Sequence, residues 1–344
     1  MDCRRPGGRP GGGPCRRPAG RTACGNRFRP GTAAGSAGLG RAQLPRARWC
    51  QRRRRARTLA DPALAPFADG GVIRPLVSIL TPAYRAQAFI GEALASVLAG
   101  DFGDFELILA SDDGSDYRHL LPVDPRLVFV PPGSCGSGPA AARNRALGLA
   151  QGDYVCLLDA DDLWSANYLA ALLAKAAATG LAFAETVVTD WRGRPVRQLF
   201  GQRCAVDLAA CTGAYGPLRG LVARRLCATF RDVFAEDVLW HLQALCRAGG
   251  RAPYVGAARY LCRQRPGSLC NAGLGFAAID RGYAAASRAT DASGLGSAFA
   301  HRLRALFADW RQVNRAFARS AGRRRQANYH EFVLRASATR WHLR

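Results

Sequence analysis

From Pro75 onward, short apolar runs alternate with helix-length amphipathic segments, and several runs end in acidic or small polar residues. That alternation is the pattern of an α/β fold with a largely parallel sheet, because each buried strand is joined to the next through a helix that covers the sheet. Residues 76–80 predict a strand closed by Thr81 and Pro82, and 89–98 a helix with apolar residues at helical spacing. Residues 105–110 predict a second strand ending in Ser111-Asp112-Asp113-Gly114-Ser115, 127–130 a third, 138–150 a helix, and 154–158 a fourth strand running into Asp159. Ser165 is placed to cap the helix that follows. Residues 168–184 read as a helix and then a strand, and 187–200 as a hairpin about Gly193. Residues 236–247 read as a helix with Val238, Leu239, Leu242 and Leu245 on one face. The chain from Phe276 on is Ala- and Arg-rich and helical in character.

The first 74 residues do not share this pattern. They hold seventeen Arg against three Asp, so more than half of the net charge of +24 sits in about one fifth of the 344 residues. Rich in Gly, Pro and Ala, they cannot bury enough apolar surface to offset the entropy of ordering them, which predicts disorder. Lys175 is the sole lysine and Met1 the sole methionine, a bias that fits a high-GC coding sequence. One reading of residues 1–70 is therefore an over-extended start. The other is a transit peptide, which the low Ser content and missing amphipathic period disfavour. Twelve cysteines lie scattered without a C-x-x-C pair or a zinc spacing, so buried free thiols in a reducing compartment are expected. No apolar run reaches bilayer length. The expectation is a cytoplasmic protein whose basic surface permits peripheral contact with the inner face of the membrane.

Three segments carry candidate chemistry. Asp159 and Asp161, spaced i, i+2 after a strand, are expected to point to the same side and converge on one ligand; carboxylate oxygens are what Mg²⁺ and Mn²⁺ prefer. The bland alternative is acids that end a strand and cap a helix. Asp112 and Asp113 also follow a buried strand, on the rim where open α/β sheets bind ligands, although D-D-G-S alone is an ordinary turn signal. Between them, small residues from Gly138 open a helix where backbone N–H groups are approachable, and Arg143 offers a planar fork to a phosphate or base. A tight loop with a solvated arginine is the competing reading.

The ordered series Val77-Ser78-Ile79 with Thr81-Pro82-Ala83-Tyr84, Asp112-Asp113-Gly114-Ser115, Ala141-Ala142-Arg143-Asn144, and Gly152-Asp153-Tyr154 running into Asp159-Ala160-Asp161-Asp162 resembles family 2 glycosyltransferases of the GT-A fold. Downstream, Glu236-Asp237 and residues 263–268 resemble the family's second acidic motif and the segment after it. The likeness runs from Pro75 to Cys270. It implies a Rossmann-like mixed sheet, mostly parallel and flanked by helices. A nucleotide-binding half would span 75–165, an acceptor half 166–270, and a basic helical extension 271–344. Carried over residue by residue, Asp113 would hydrogen-bond the nucleobase, with Asp112 beside it and Thr81, Pro82 and Tyr84 lining the slot. Asp159 would contact the ribose side of the donor, and Asp161, with Asp159, would hold a divalent cation (Mn²⁺ or Mg²⁺) on the diphosphate. Asp237 would be the general base, with Glu236 beside it. The activity implied is inverting transfer from a nucleotide-diphospho-sugar, a UDP-sugar first, to a hydroxyl of a glycan, lipid-linked or small-molecule acceptor, in cell-surface polysaccharide or glycolipid synthesis.

Arg85 departs from the family, which often has Asn there, and the Gln-x-x-Arg-Trp element of processive synthases is missing from the sequence. Competing readings start elsewhere. The arginines at 52–55 and 323–325 suit sequence-independent nucleic-acid binding, but no RNA-module signature accompanies them. A nucleotidyltransferase needs a Gly-rich basic loop after the first strand, which Thr81–Tyr84 is not. An inactive scaffold would not need acids at 113, 161 and 237. Leu303, Leu306, Phe307, Trp310 and Val313 form an apolar stripe amid arginines, suited either to an anionic membrane surface or to packing on the protein's own domain.

Overall fold

The computed structural model describes residues 74–131, 133, 135–265, 275–321 and 329–341. Residues 1–73 of the predicted disordered segment, with the arginine run at 52–55, the run at 323–325, and residues 266–270 lie outside the described residues.

The first half is a parallel βαβ array. It consists of β1 (Val77–Ala83), α1 (Ile90–Leu98), β2 (Phe105–Ser111), β3 (Leu127–Phe129), α2 (Pro139–Leu149) and β4 (Tyr154–Leu157). β1 lies between β2 and β4, and β3 flanks β2, all parallel. Both sheet faces are covered, which is why these strands read as unbroken apolar runs. Val77, Ile79, Leu107 and Leu109 pack in the core that includes α1, whereas Leu80, Ile108 and Ala110 pack in the core that includes α2. β1 runs through Thr81 and Pro82 to Ala83, three residues beyond the strand end read from the sequence.

Then follow β5 (Leu163–Trp164), α3 (Tyr168–Ala176), β6 (Leu181–Asp190), β7 (Pro195–Gln198), β8 (Ala205–Asp207), α4 (Leu208–Thr212), β9 (Gly220–Ala223), α5 (Glu236–Arg247) and β10 (Arg251–Gln264). The sheet order is β3-β2-β1-β4-β9-β6-β10-β5, with β7 on β6 and β8 on β10. β9 is antiparallel to both β4 and β6, so the mixed character of the sheet lies in this second half. The expected hairpin is β6–β7, with Gly193 at φ +81° in its turn. Ser165 does not cap α3. Its hydroxyl donates to Asn167 Oδ1 and accepts from Arg259 N–H, tying the loop to β10, and Asn167 is the cap residue.

α6 (Phe276–Ala289), α7 (Ser297–Ala321) and α8 (Tyr329–Trp341) belong to the same unit as the sheet. The stripe Leu303, Leu306, Phe307, Trp310 and Val313 is buried inside this unit, so it is not a membrane-facing surface. Trp310 donates its indole N–H to Thr212 O, and Tyr283 of α6 meets it edge-on. No described helix is long and apolar enough to cross a membrane. The seven described cysteines are free thiols; five are wholly or partly buried, while Cys135 and Cys204 are exposed against expectation.

Candidate functional site

Because β1, β2 and β4 are parallel neighbours, the residues that follow them share one rim. Tyr84 and Arg85 follow β1, Asp112 and Asp113 follow β2, and Asp159 follows β4. A cleft of about 500 Å³ opens there, lined by Tyr84, Arg85, Gln87, Asp112, Asp113, Ser115, Cys135 and Gly136. Tyr84 is 49% exposed and presents its ring. Thr81 is fully buried, so its side chain does not line the cleft as expected; it lies within the strand rather than at its end.

Asp113 accepts four hydrogen bonds, two on each carboxylate oxygen. Ser115 N–H and Ser111 Oγ reach Oδ1, and Arg85 N–H and Tyr117 Oη reach Oδ2. Burial works against ionisation, but these donors outweigh it and hold the carboxyl at about 2, while Tyr117, buried and beside it, is pushed up to about 12. Four donors fill the lone-pair directions of a carboxylate. Asp113 therefore shapes the loop, and a base could bond to it only by displacing one of them. Asp112 is also committed: Gly138 N–H donates to Oδ2 at 2.8 Å, and Ser137 N–H and Oγ and Arg145 reach Oδ1. It pins the uncapped start of α2, whose first turn has no side-chain cap.

Arg143 is not a solvated fork. Only 4% exposed, it spans two acids, Asp159 Oδ1 at 2.5 Å and Glu236 Oε1. A second buried arginine, Arg219, just before β9, mirrors it by bonding Asp159 Oδ2 at 2.6 Å and Asp237 Oδ2, and it lies 4.8 Å from the Tyr260 ring centroid. Asp159 is thus the keystone of a network of three carboxylates and two guanidiniums. The first-turn acids of α5 complete it, where the helix dipole favours negative charge. Burial opposes the charge on Asp237, but Arg219 and then Arg143 hold it near 2. Glu236 goes the other way, pushed up to about 7 by burial despite Arg143, with Asp237 adding repulsion. Behind Asp237, His241 is fully buried with Nδ1 on the Asp237 carbonyl, and burial, helped by Arg219, lowers it to about 4.

Asp159 and Asp161 do not converge as an extended i, i+2 pair. Asp162 N–H bonds back to Asp159 O, which closes a turn and removes the strand periodicity on which that expectation rested. Asp161 faces Arg265 Nε at 2.6 Å instead. Asp162 is buried, and burial, then Asp161 and Asp159, push its carboxyl well above the usual range. Among the described residues no three His, Cys, Asp or Glu side chains form a cage for a cation. Both oxygens of Asp159 are taken by arginines, so Asp161, with one contact to Arg265, is the carboxylate left to meet a Mg²⁺ or Mn²⁺ whose other ligands are phosphate oxygens and water; the residues do not fit an ion held by protein alone. Sequence reasoning missed Arg219 and Tyr260 and gave Arg265, within the singled-out 263–268 segment, no partner, because no motif spacing links residues 60 to 104 positions away from the acids they serve.

The family model for glycosyl transferase family 2 matches residues 78–202. The UDP-Glc:alpha-D-GlcNAc-diphosphoundecaprenol beta-1,3-glucosyltransferase WfgD of Escherichia coli is 38% identical over 97 residues, 27% of this chain and 38% of that protein. The amylovoran biosynthesis glycosyltransferase AmsB of Erwinia amylovora is 35% identical over 101 residues, 27% of this chain and 33% of that protein. The matched stretch thus spans well under half of these relatives. In fold, the chain is similar to S. aureus TarS 1–349 in its complex with UDP-GlcNAc, with a TM-score of 0.54 at 20% identity over 72% of this chain and 74% of that one. The cleft and acid network occupy the carboxyl ends of a GT-A sheet, and residues 78–202, well under half of the chain, are similar to glycosyl transferase family 2.

Proposed function

We propose that this chain transfers a sugar, with inversion, from a nucleotide-diphospho-sugar to an acceptor hydroxyl in the synthesis of a cell-surface polysaccharide or glycolipid. The observation that carries this reading is the shared rim: a cleft of about 500 Å³ lies where β1 and β2 end, Asp159 follows the neighbouring strand β4, and the α5 acids are linked to Asp159 through two arginines. WfgD, whose name carries UDP-Glc, supports a UDP-sugar donor. The cleft takes the nucleoside, with Tyr84 beneath the base and the Asp113 loop as its wall.

Asp161 is the residue that would hold Mg²⁺ or Mn²⁺, since both oxygens of Asp159 are taken by arginines. Such a cation, bound with the diphosphate, neutralises the charge that builds on the leaving phosphate. Arg265, beside Asp161, is placed to compensate the same charge. Asp237, ionised at neutral pH, accepts the proton of the acceptor hydroxyl from the side opposite the leaving group, and a single displacement of that geometry inverts the anomeric centre. A second reading exchanges the roles within the pair: the carboxyl of Glu236 near 7 is the better match in basicity for a proton acceptor. The working location is the cytoplasm, at the inner face of the membrane where a lipid-linked acceptor would lie.

The test is calorimetric. Purified protein is expected to bind UDP in the presence of Mn²⁺ or Mg²⁺ and at least about tenfold more weakly without either, a loss of about 1.4 kcal/mol. Asp161→Ala should remove that dependence together with the tight binding. Metal-independent binding of undiminished strength in the variant would overturn the metal assignment.

A further inference from the structure

One cation in the nucleoside cleft belongs to no ion pair. Arg85 follows Tyr84 in a left-handed backbone conformation, φ +49°. Asn tolerates that region and long side chains do so at a cost, so the arginine is held there against local preference. Its N–H is spent on Asp113 Oδ2 at 2.7 Å, and its guanidinium carbon lies 5.2 Å from the Tyr84 ring centroid, at the mouth of the cleft. No carboxylate pairs with that guanidinium among the described residues. The two nearest in sequence to the cleft wall are committed elsewhere. Asp113 has both oxygens filled by four loop donors, and Asp112 holds Ser137, Gly138 and Arg145.

The cleft therefore offers a base one aromatic face and one fork of uncommitted N–H donors. What satisfies such a fork is a base edge bearing carbonyl oxygens. Uracil carries them, and guanine presents O6 beside N7. Cytosine and adenine place an exocyclic amino group at the corresponding position, which sets donor against donor. Resting on the reading that the cleft takes the donor's nucleoside, we propose that Arg85 selects the base. It admits uridine or guanosine diphosphate-sugars and rejects those of cytidine and adenosine. A wrong base turns its exocyclic amino group toward the guanidinium and forfeits that contact.

The experiment titrates the full chain calorimetrically with UDP, GDP, CDP and ADP, each in excess Mn²⁺. The wild type is expected to bind UDP and GDP at least about tenfold more tightly than CDP and ADP, within the range of one bidentate base contact. In Arg85→Met the gap should close to less than about threefold, chiefly through weaker UDP and GDP binding. Arg85→Asn should lose discrimination in the same way, and because Asn suits the left-handed backbone, misfolding does not account for that loss. Equal binding of all four by the wild type, or a gap that persists in both variants, overturns the role of Arg85 while leaving a nucleotide cleft in place. If the wild type binds none of the four with Mn²⁺, it is the nucleotide-sugar reading itself that fails, and this inference with it.

Discussion

Asp237 and Glu236 are adjacent in the first turn of α5, yet their surroundings drive them apart: one is held ionised by Arg219 and the other is raised toward neutrality by burial. Asp237→Asn is therefore expected to leave Mn²⁺–UDP affinity within about threefold of wild type. UDP release from a UDP-sugar should fall by at least about a hundredfold, the usual contribution of a positioned base. Glu236→Gln should cost less than Asp237→Asn. The reverse ranking would assign the proton to Glu236. Acidity at a motif was legible from sequence, but its partner was not. Glu185 shows the same limit, since nothing in the sequence marks it as the acceptor of Leu199, Phe200 and Gly201 N–H groups and of the Tyr254 hydroxyl.

At the scale of elements, the junction of β1 and β4 depends on a close approach. A Cβ added at Gly152 would stand 2.6 Å from Ser78 N and 2.7 Å from Val77 C, both backbone atoms that cannot swing aside. The same place carries a buried polar pair, in which Ser78 Oγ donates to Glu106 and accepts from Gly152 N–H, while Gln151 N–H also reaches Glu106. Gly152→Ala should destabilise the protein by about 2 kcal/mol or more, as overpacking does, measured by urea denaturation. Loss below about 0.5 kcal/mol would mean that the strands part freely. This is a physical reason for the glycine of the Gly152-Asp153-Tyr154 motif. Helix and strand positions were largely legible because period 3.6 and unbroken apolar runs are local signals, as α5 and β6–β7 illustrate. The antiparallel insertion of β9 between β4 and β6 was not, because pairing partners are set by non-local contacts.

For the molecule as a whole, pH couples to stability through buried histidine. His241 lies in the core beside Phe183 and Trp240 with a folded pKa of about 4, below its ordinary 6.5. Between those values the unfolded chain binds a proton that the folded chain refuses. This contribution is complete above pH 6.5 and is lost as the pH falls through the window. From pH 7 to 5 the loss amounts to about 2 kcal/mol. In His241→Phe, the fall in unfolding free energy over that interval, from urea titrations at both pH values, should be smaller by about that amount. An unchanged fall would show that the imidazole does not titrate differently in the two states. The C-terminal helices share this folded unit, and their apolar stripe, with Trp310 and Leu303, is buried in its core.

The sequence alone determined the alternation of strands and helices, the rim on which acids must fall, and the family that residues 78–202 resemble. Each of these is written in local periodicity or in motif order along the chain. Only tertiary structure decided how the acids are used. It turned Asp159 and Asp161 toward different arginines, filled Asp113, buried Arg143, and left Arg85 open to the cleft. A carboxylate's role depends on which charge folding brings within about 4 Å, where Coulomb energy outweighs local preference, and residues as far apart as 159 and 219 acquire that neighbour only when the sheet closes.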